Sequence, residues 1–261
     1  MKKNYKRLIA YILDMFLVLL VASLLSRVSF INPELKKYNN YYKNYQEEYV
    51  NYNNFITLFN KYYKDNKISD KEYNKLLEKY PDRVTYIDKY YEDKKITKKE
   101  YNKIINNINN DFQVRYKELY YNVNKYSKVY NAILIVVIIL YFVGVNTLFN
   151  GQTLGKKIMN IEIVGSSNKV TFLNYLIRTL ILYNPIYYLL MIIGSVSFNV
   201  NDFYNYALVL SNIKDYLLII VVLTIIIRKD NRGLHDLLSK TMVVDNKSNI
   251  NNKKMIDHKE N

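Results

Sequence analysis

Two charged residues sit where charge is costly. Arg7 and Asp14 both belong to RLIAYILDMFLVLLVASLL, residues 7–25, which is otherwise almost wholly apolar. Their spacing is about two helical turns, so both side chains point roughly the same way, ~10 Å apart along the axis. An ionised carboxylate deep in a bilayer costs ~2.5–3.5 kcal/mol on insertion scales, and such groups normally face a bundle interior. Asp14 must find a partner, line a wet cavity or carry a proton. Binding and releasing a proton or a cation is one chemistry open to it. Holding helix ends in a salt-bridge cluster is the structural alternative. Two other stretches bear polar groups next to apolar runs: NGQTLGKKIMNIEIV (150–164) and RKDNRGLHDLLSKTMVV (228–244).

Other chemistries lack their residues. The chain has no cysteine and only two histidines, His235 and His258. Thiolate chemistry and disulfides are excluded, and a histidine-rich metal site is not expected. No metal or cofactor is implied. GQTLGKK lacks the spacing of a phosphate-binding P-loop, and there is neither a nucleophile elbow nor a His-Glu-x-x-His motif. We therefore do not expect an enzyme. A net charge of +15 first suggests nucleic acid. Its distribution argues against that partner: acidic and basic residues mix densely over 28–128, and the other basic residues flank apolar runs, as they do in membrane proteins.

The elements that must position these groups are membrane spans. A spanning helix needs ~20 mostly apolar residues. Leu8–Leu25 is the first candidate and Val129–Phe149 the second. Thr179–Phe198 is the third, with a kink expected at Asn184–Pro185, where proline removes a hydrogen bond. Tyr216–Ile227 is short for a fourth unless it extends back to Ala207, which brings in Asn212, Lys214 and Asp215; Lys214 can snorkel and pair with Asp215. Basic residues precede the first span (Lys2, Lys3, Lys6, Arg7), separate the second from the third (Lys156, Lys157, Lys169, Arg178) and follow the fourth (Arg228, Lys229, Arg232, Lys240). With four spans all of these fall on one side, the cytoplasm by the positive-inside rule, with both termini there. A cleaved signal peptide is the weaker reading of the first segment, since its apolar run is long, contains Asp14 and ends without a small-x-small site.

The expected architecture is an all-α membrane protein of about four transmembrane helices. Residues 1–27 hold the first span, 28–128 form an extracytoplasmic helical insertion, 129–245 hold the remaining spans, and 246–261 form a disordered cytoplasmic tail. IEIV (161–164), ending at the turn-like Gly165–Ser166–Ser167–Asn168, and TMVV (241–244) can pair as a small cytoplasmic ribbon. Within the insertion, YYKDNKISDKEYNKLLEKY (62–80) repeats as YYEDKKITKKEYNKIINNI (90–108), identical at ten of nineteen positions. Each copy reads as a helix end, a polar Asp-x-Lys turn and a new helix. Ser69 with Glu72, and Thr97 with Glu100, have capping-box spacing. Ile68, Leu76, Ile96 and Ile104 supply apolar anchors. Tyrosines at 38, 41, 42, 45, 49 and 52 recur at helical steps and read as the seam of long helices, or as a ligand-stacking or cell-wall-binding surface. The abundance of Lys, Asn, Ile and Tyr also fits the coding bias of an A+T-rich genome.

RLIAYILD, NGQTLGKK and NRGLHD, in that order relative to the spans, resemble the RDD family of bacterial membrane proteins. The family's characteristic Arg, Asp and Asp fall on Arg7, Asp14 and Asp236. Its Gly-Gln-Thr-x-Gly-Lys motif is present as Gly151, Gln152, Thr153, Gly155 and Lys156. Its C-terminal pattern is present, with slightly different spacing, around Arg232, Gly233, His235 and Asp236. The resemblance covers two pieces of the chain and leaves out 28–128, where the family usually has a short connection. It implies a plasma-membrane protein for which transport is suspected, some members being linked to sodium–proton exchange. Gly151 and Gly155 allow close backbone approach, and Lys156 and Lys157 can reach phosphate head groups. Asp236 and His235 are expected near Arg7 and Arg178. On the transport reading, Asn131, Asn146, Asn184 and Asn212 can line the path, and four spans would call for a homo-oligomer. The alternative is a membrane scaffold whose residues 34–126 bind a partner outside the membrane.

Overall fold

A computed structural model describes residues 2–63, 68–88, 96–166 and 169–246. The Asp-x-Lys turns of the repeat, Ser167–Asn168 and all but the first residue of the C-terminal tail lie outside the described residues. The described chain is mostly helical and divides into two compact units. One comprises residues 1–35, 127–198 and 205–261, and the other 36–126 and 199–204.

The first unit holds the apolar helices. α1 (Lys2–Ser26) contains the first candidate span. α6 (Lys128–Ile139) continues through a π-helical segment, Leu140–Val145, into the single turn α7 (Asn146–Leu148), so that Lys128–Leu148 is the second. α11 (Val200–Ile227) is one unbroken helix, so the short apolar run at 216–227 is the end of a much longer element. α9 (Phe172–Leu182) and α10 (Pro185–Ser197) meet at 62°. That is sharper than a kink within one helix. Asn184 takes a left-handed conformation, φ 47°, and Pro185 opens α10 at a position that needs no backbone N–H. Among the described residues three helices are long and apolar enough to cross a membrane, or four if the bent pair counts as one span.

Burial separates inward from outward faces. Val18 and Ala22 of α1 pack with Leu134, Ile138 and Phe142. Ala10 packs with Val143, Ile161, Ile163, Tyr175 and Val243. The apolar stretch of α11 is almost entirely unburied, with Leu218, Val222 and Ile226 all exposed. Such a surface is stable against lipid and not against water.

Two short helices and a ribbon complete this unit. α8 (Leu154–Ile158) leads into β1 (Ile161–Gly165), and α12 (Leu234–Leu238) leads into β2 (Thr241–Asp245). The strands are antiparallel, with Ile163 opposite Val243 and Ile161 opposite Asp245. Strand alternation puts Ile161, Ile163, Thr241 and Val243 on the buried side.

The second unit is built on α2 (Leu35–Tyr62), α3 (Asp70–Lys79), α4 (Pro81–Asp88) and α5 (Lys98–Tyr126). Ser69 Oγ accepts from the Glu72 N–H at 3.4 Å, and Glu72 accepts from the Ser69 N–H at 3.2 Å. Thr97 and Glu100 make the same reciprocal pair at 3.3 and 2.8 Å. Ile68, Leu76, Ile96 and Ile104 are buried with Phe55, Phe59, Val84 and Ile87. Tyrosines join α2 to α5: Tyr41 stacks on Tyr126 at 5.3 Å, Tyr45 lies 4.7 Å from Tyr116, and Tyr52 stacks on Phe112 at 3.9 Å. Partner numbers fall along α5 as they rise along α2, so the helices run antiparallel. Tyr42 and Tyr49 stay exposed. Arg83 is buried and bonds Glu48 at 2.7 Å.

Candidate functional site

Asp14 is 1% exposed and accepts three hydrogen bonds. Tyr141 Oη donates to Oδ1 at 2.7 Å, the Gly155 N–H donates to the same oxygen at 2.7 Å, and Thr153 Oγ1 donates to Oδ2 at 2.5 Å. The sequence explains how they converge. Thr153 and Gly155 flank the start of α8, where backbone N–H groups lack helical partners. A Cβ on Gly155 would fall on the Ala10 carbonyl and lie 2.9 Å from Asp14 Oδ1. Only glycine lets α8 approach α1 this closely. Tyr141 comes from the π-helical segment. Among the described residues Asp14 forms no ion pair: all three donors are neutral.

Asp236 is the opposite case. Arg7 Nη2 binds its Oδ2, Arg178 Nη1 binds its Oδ1, and the Gly233 N–H donates to Oδ2 at 3.0 Å. Burial opposes ionisation here, but the Arg178 and Arg7 guanidiniums, with His235 beside them, hold the carboxyl well below its usual range. Arg7 also donates to the Asn231 carbonyl, Arg178 to Thr241 Oγ1 at 3.0 Å, and Arg232 Nε to the Thr241 carbonyl at 3.1 Å. This cluster fastens α1, α9, α12 and β2 together.

Two further polar groups are buried nearby. Lys156 is 6% exposed, and its Nζ donates to Asn146 Oδ1 at 3.0 Å. It forms no ion pair among the described residues, although the Asp14 and Asp236 charges oppose the loss of its proton. Burial, together with the charge of Arg178, pushes the amine down to about 7. His235 lies 3.5 Å from Asp236 through Nε2, while its buried Nδ1 has no partner. Burial and the Arg178 charge push the imidazole down to about 3, so it is neutral at physiological pH.

Arg7, Asp14, Lys156, Arg178 and His235 all border one cavity of about 470 Å³. Its other wall is apolar, formed partly by Leu218, Val221, Val222 and Ile225 of α11. Arg7 turns to Asp236 and not to Asp14, so the two carboxylates sit in separate hydrogen-bond networks, and only Asp14 lines the cavity. Lys156 points inward, so an anion can meet it only inside the cavity; its neighbour Lys157 is exposed. Gly151 takes φ 85° and its carbonyl accepts from Ile163 N–H at 3.1 Å, joining the second span to β1. Gln152 is half-buried beside it. Asn131, Asn146, Asn184 and Asn212 do not line the cavity. Asn131 bonds Ser127, Asn146 bonds Lys156, and Asn184 turns the α9–α10 corner. Sequence reasoning missed Tyr141, Asn231 and Thr241. Tyr141 gave no usable signal among 29 tyrosines, and the other two flank the Gly-Leu-His-Asp motif.

Comparison with family models gives a match to the RDD family over residues 112–240. No curated protein and no solved structure matches the chain.

Proposed function

Because the chain belongs to the RDD family of bacterial membrane proteins, we propose that its core exchanges a proton for a small ion or solute, with Asp14 as the proton-carrying group. The observation that supports this reading is a buried carboxylate that forms no ion pair among the described residues and stands on the wall of a sizeable cavity. A structural carboxylate in such a place is normally paired, as Asp236 is. Two of Asp14's three partners are hydroxyls, Tyr141 and Thr153, and a hydroxyl can donate or accept. The network therefore suits both protonation states by rotation of O–H bonds. The Asp14, Tyr141 and Thr153 oxygens also offer a monovalent cation its ligands, in keeping with exchange of the sodium–proton type. Arg7, Arg178 and Asp236 hold the helix ends around this site. The role is transport and not catalysis. By the positive-inside rule the basic segments and both termini face the cytoplasm of a plasma-membrane protein, and the 28–128 block faces outward.

The test is cation-dependent proton flux in proteoliposomes. Wild type should show flux, and Asp14→Asn, folded and inserted, should show none. Unchanged flux in Asp14→Asn refutes the assignment. A second reading, a scaffold, draws on the separate core of the 36–126 block and its exposed Tyr42 and Tyr49. Deleting 34–126 should abolish function and leave a folded core if that block binds a partner; a silent deletion removes this reading.

A further inference from the structure

The cavity has two chemically different ends, and the ion-exchange reading uses only one side of its polar end. Three basic side chains line it there, Arg7, Lys156 and Arg178, with one lining carboxylate, Asp14; Asp236 lies behind the arginines it binds. Both carboxylates are already engaged, Asp236 by the two arginines and Asp14 by its three donors. Lys156 is the one of the three that forms no ion pair among the described residues, although the charges of Asp14 and Asp236 reach it. One of its N–H bonds goes to Asn146, and the remaining donors meet no acceptor among the described residues. His235 Nδ1, on a side chain 2% exposed, is buried and unpartnered at the same cavity. A buried polar group without a partner is costly unless something completes it.

The other end is hydrocarbon-like. Leu218, Val222 and Ile226 line the cavity while being 48%, 46% and 68% exposed, and Leu8 of α1 is 59% exposed. These residues lie on spans whose surroundings are lipid. The cavity therefore borders the bilayer between α1 and α11. Its volume falls in the ordinary range for a small-molecule site, ~300–1,000 Å³.

We propose that this cavity binds an anionic phospholipid drawn from the surrounding bilayer. Its phosphate sits at Lys156 and the arginine pair, and the beginning of an acyl chain lies along α11. Charge complementarity selects the anionic head group, and the lateral apolar wall selects a ligand that arrives from the membrane. The inference goes beyond ion exchange and stands whether or not Asp14 carries a proton.

Native mass spectrometry of the full-length protein, released from detergent and titrated with phosphatidylglycerol or with phosphatidylcholine of the same acyl chains, reads this directly. One phosphatidylglycerol should be retained per chain in preference to phosphatidylcholine. Lys156→Met should weaken that retention by about tenfold or more, as expected for loss of a charge-assisted hydrogen bond. Val222→Trp fills the apolar end from an exposed position, so it leaves the buried polar network intact; it should weaken retention as well. Inorganic phosphate at millimolar concentration should not displace the lipid. Equal retention of the two lipids, or unchanged retention in both folded variants, overturns the proposal. Displacement by inorganic phosphate overturns it too, by showing a free-anion site with no use for an acyl chain. None of these readings depends on flux, so the failure of either proposal is visible separately.

Discussion

Replacing Gly155 by alanine tests whether α8 is held against α1 through the Asp14 carboxylate. The added Cβ would collide with the Ala10 carbonyl, which is backbone and cannot rotate aside, and would lie 2.9 Å from Asp14 Oδ1. The short helix must retreat. Retreat breaks the 2.7 Å bond from the Gly155 N–H to a buried carboxylate, worth ~1.5–3 kcal/mol. Forcing a methyl into a closed contact adds ~1–3 kcal/mol. The sum is ~2.5–6 kcal/mol, on the order of 10 °C in apparent melting midpoint. Gly144 is the internal control, because a Cβ there meets nothing within 4 Å. Gly144→Ala should change stability by no more than ~0.5 kcal/mol. The assay is thermal unfolding of both variants in the same lipid nanodiscs, followed by circular dichroism. If Gly155→Ala melts with Gly144→Ala and wild type, the tight α1–α8 contact is wrong, and with it the donor set assigned to Asp14.

Other consequences follow from particular contacts. Arg83→Met leaves Glu48 without its 2.7 Å partner in a mostly buried position and should destabilise by ~3 kcal/mol in denaturant titration. Thr97→Ala removes a side-chain cap and should cost ~1 kcal/mol in the same titration. Lys156 titrates near 7 when folded and near 10.5 when unfolded. Between those values the unfolded chain holds a proton that the folded chain lacks, so the lysine's contribution makes stability rise with pH across the window, by up to ~1.4 kcal/mol per unit. Its destabilising effect is fully present below the folded value. Melting midpoints from pH 7 to 10 should therefore lose slope in Lys156→Met, and an unchanged slope contradicts the buried, unpaired amine.

Much of this arrangement is legible in the sequence because it follows from spacing. Glycine at 155 signals close approach, and capping-box pairs at Ser69–Glu72 and Thr97–Glu100 mark helix starts. Alternation in IEIV and TMVV reads as strands, and they pair as β1 and β2. Arg7, Arg178 and Asp236 are flagged by position at span ends and by motif. What the residues do not announce is who meets whom. Arg7 faces the same way as Asp14 on a helical projection, yet it bonds Asp236, more than two hundred residues away. Tyr141 reaches Asp14 through a π-helical segment, a backbone departure with no compositional mark. Lys156 looks like a surface lysine beside Lys157, and only the fold of the loop after α7 turns it inward to Asn146. The α9–α10 corner is sharper than proline alone suggests, because Asn184 adds a left-handed residue before it. The extension of α11 back to Ala207, with Lys214 paired to Asp215 at 3.3 Å, is legible in the sequence, whereas its further seven residues back to Val200 are not.

The most direct test of the central claim is infrared difference spectroscopy of the reconstituted protein, wild type beside Asp14→Asn, as sodium is added at constant pH. The account predicts that sodium removes a protonated-carboxyl band in wild type, that a proton appears in the bulk, and that both signals are absent from Asp14→Asn. A spectrum in which sodium displaces no carboxyl proton, or displaces one equally well in Asp14→Asn, contradicts it.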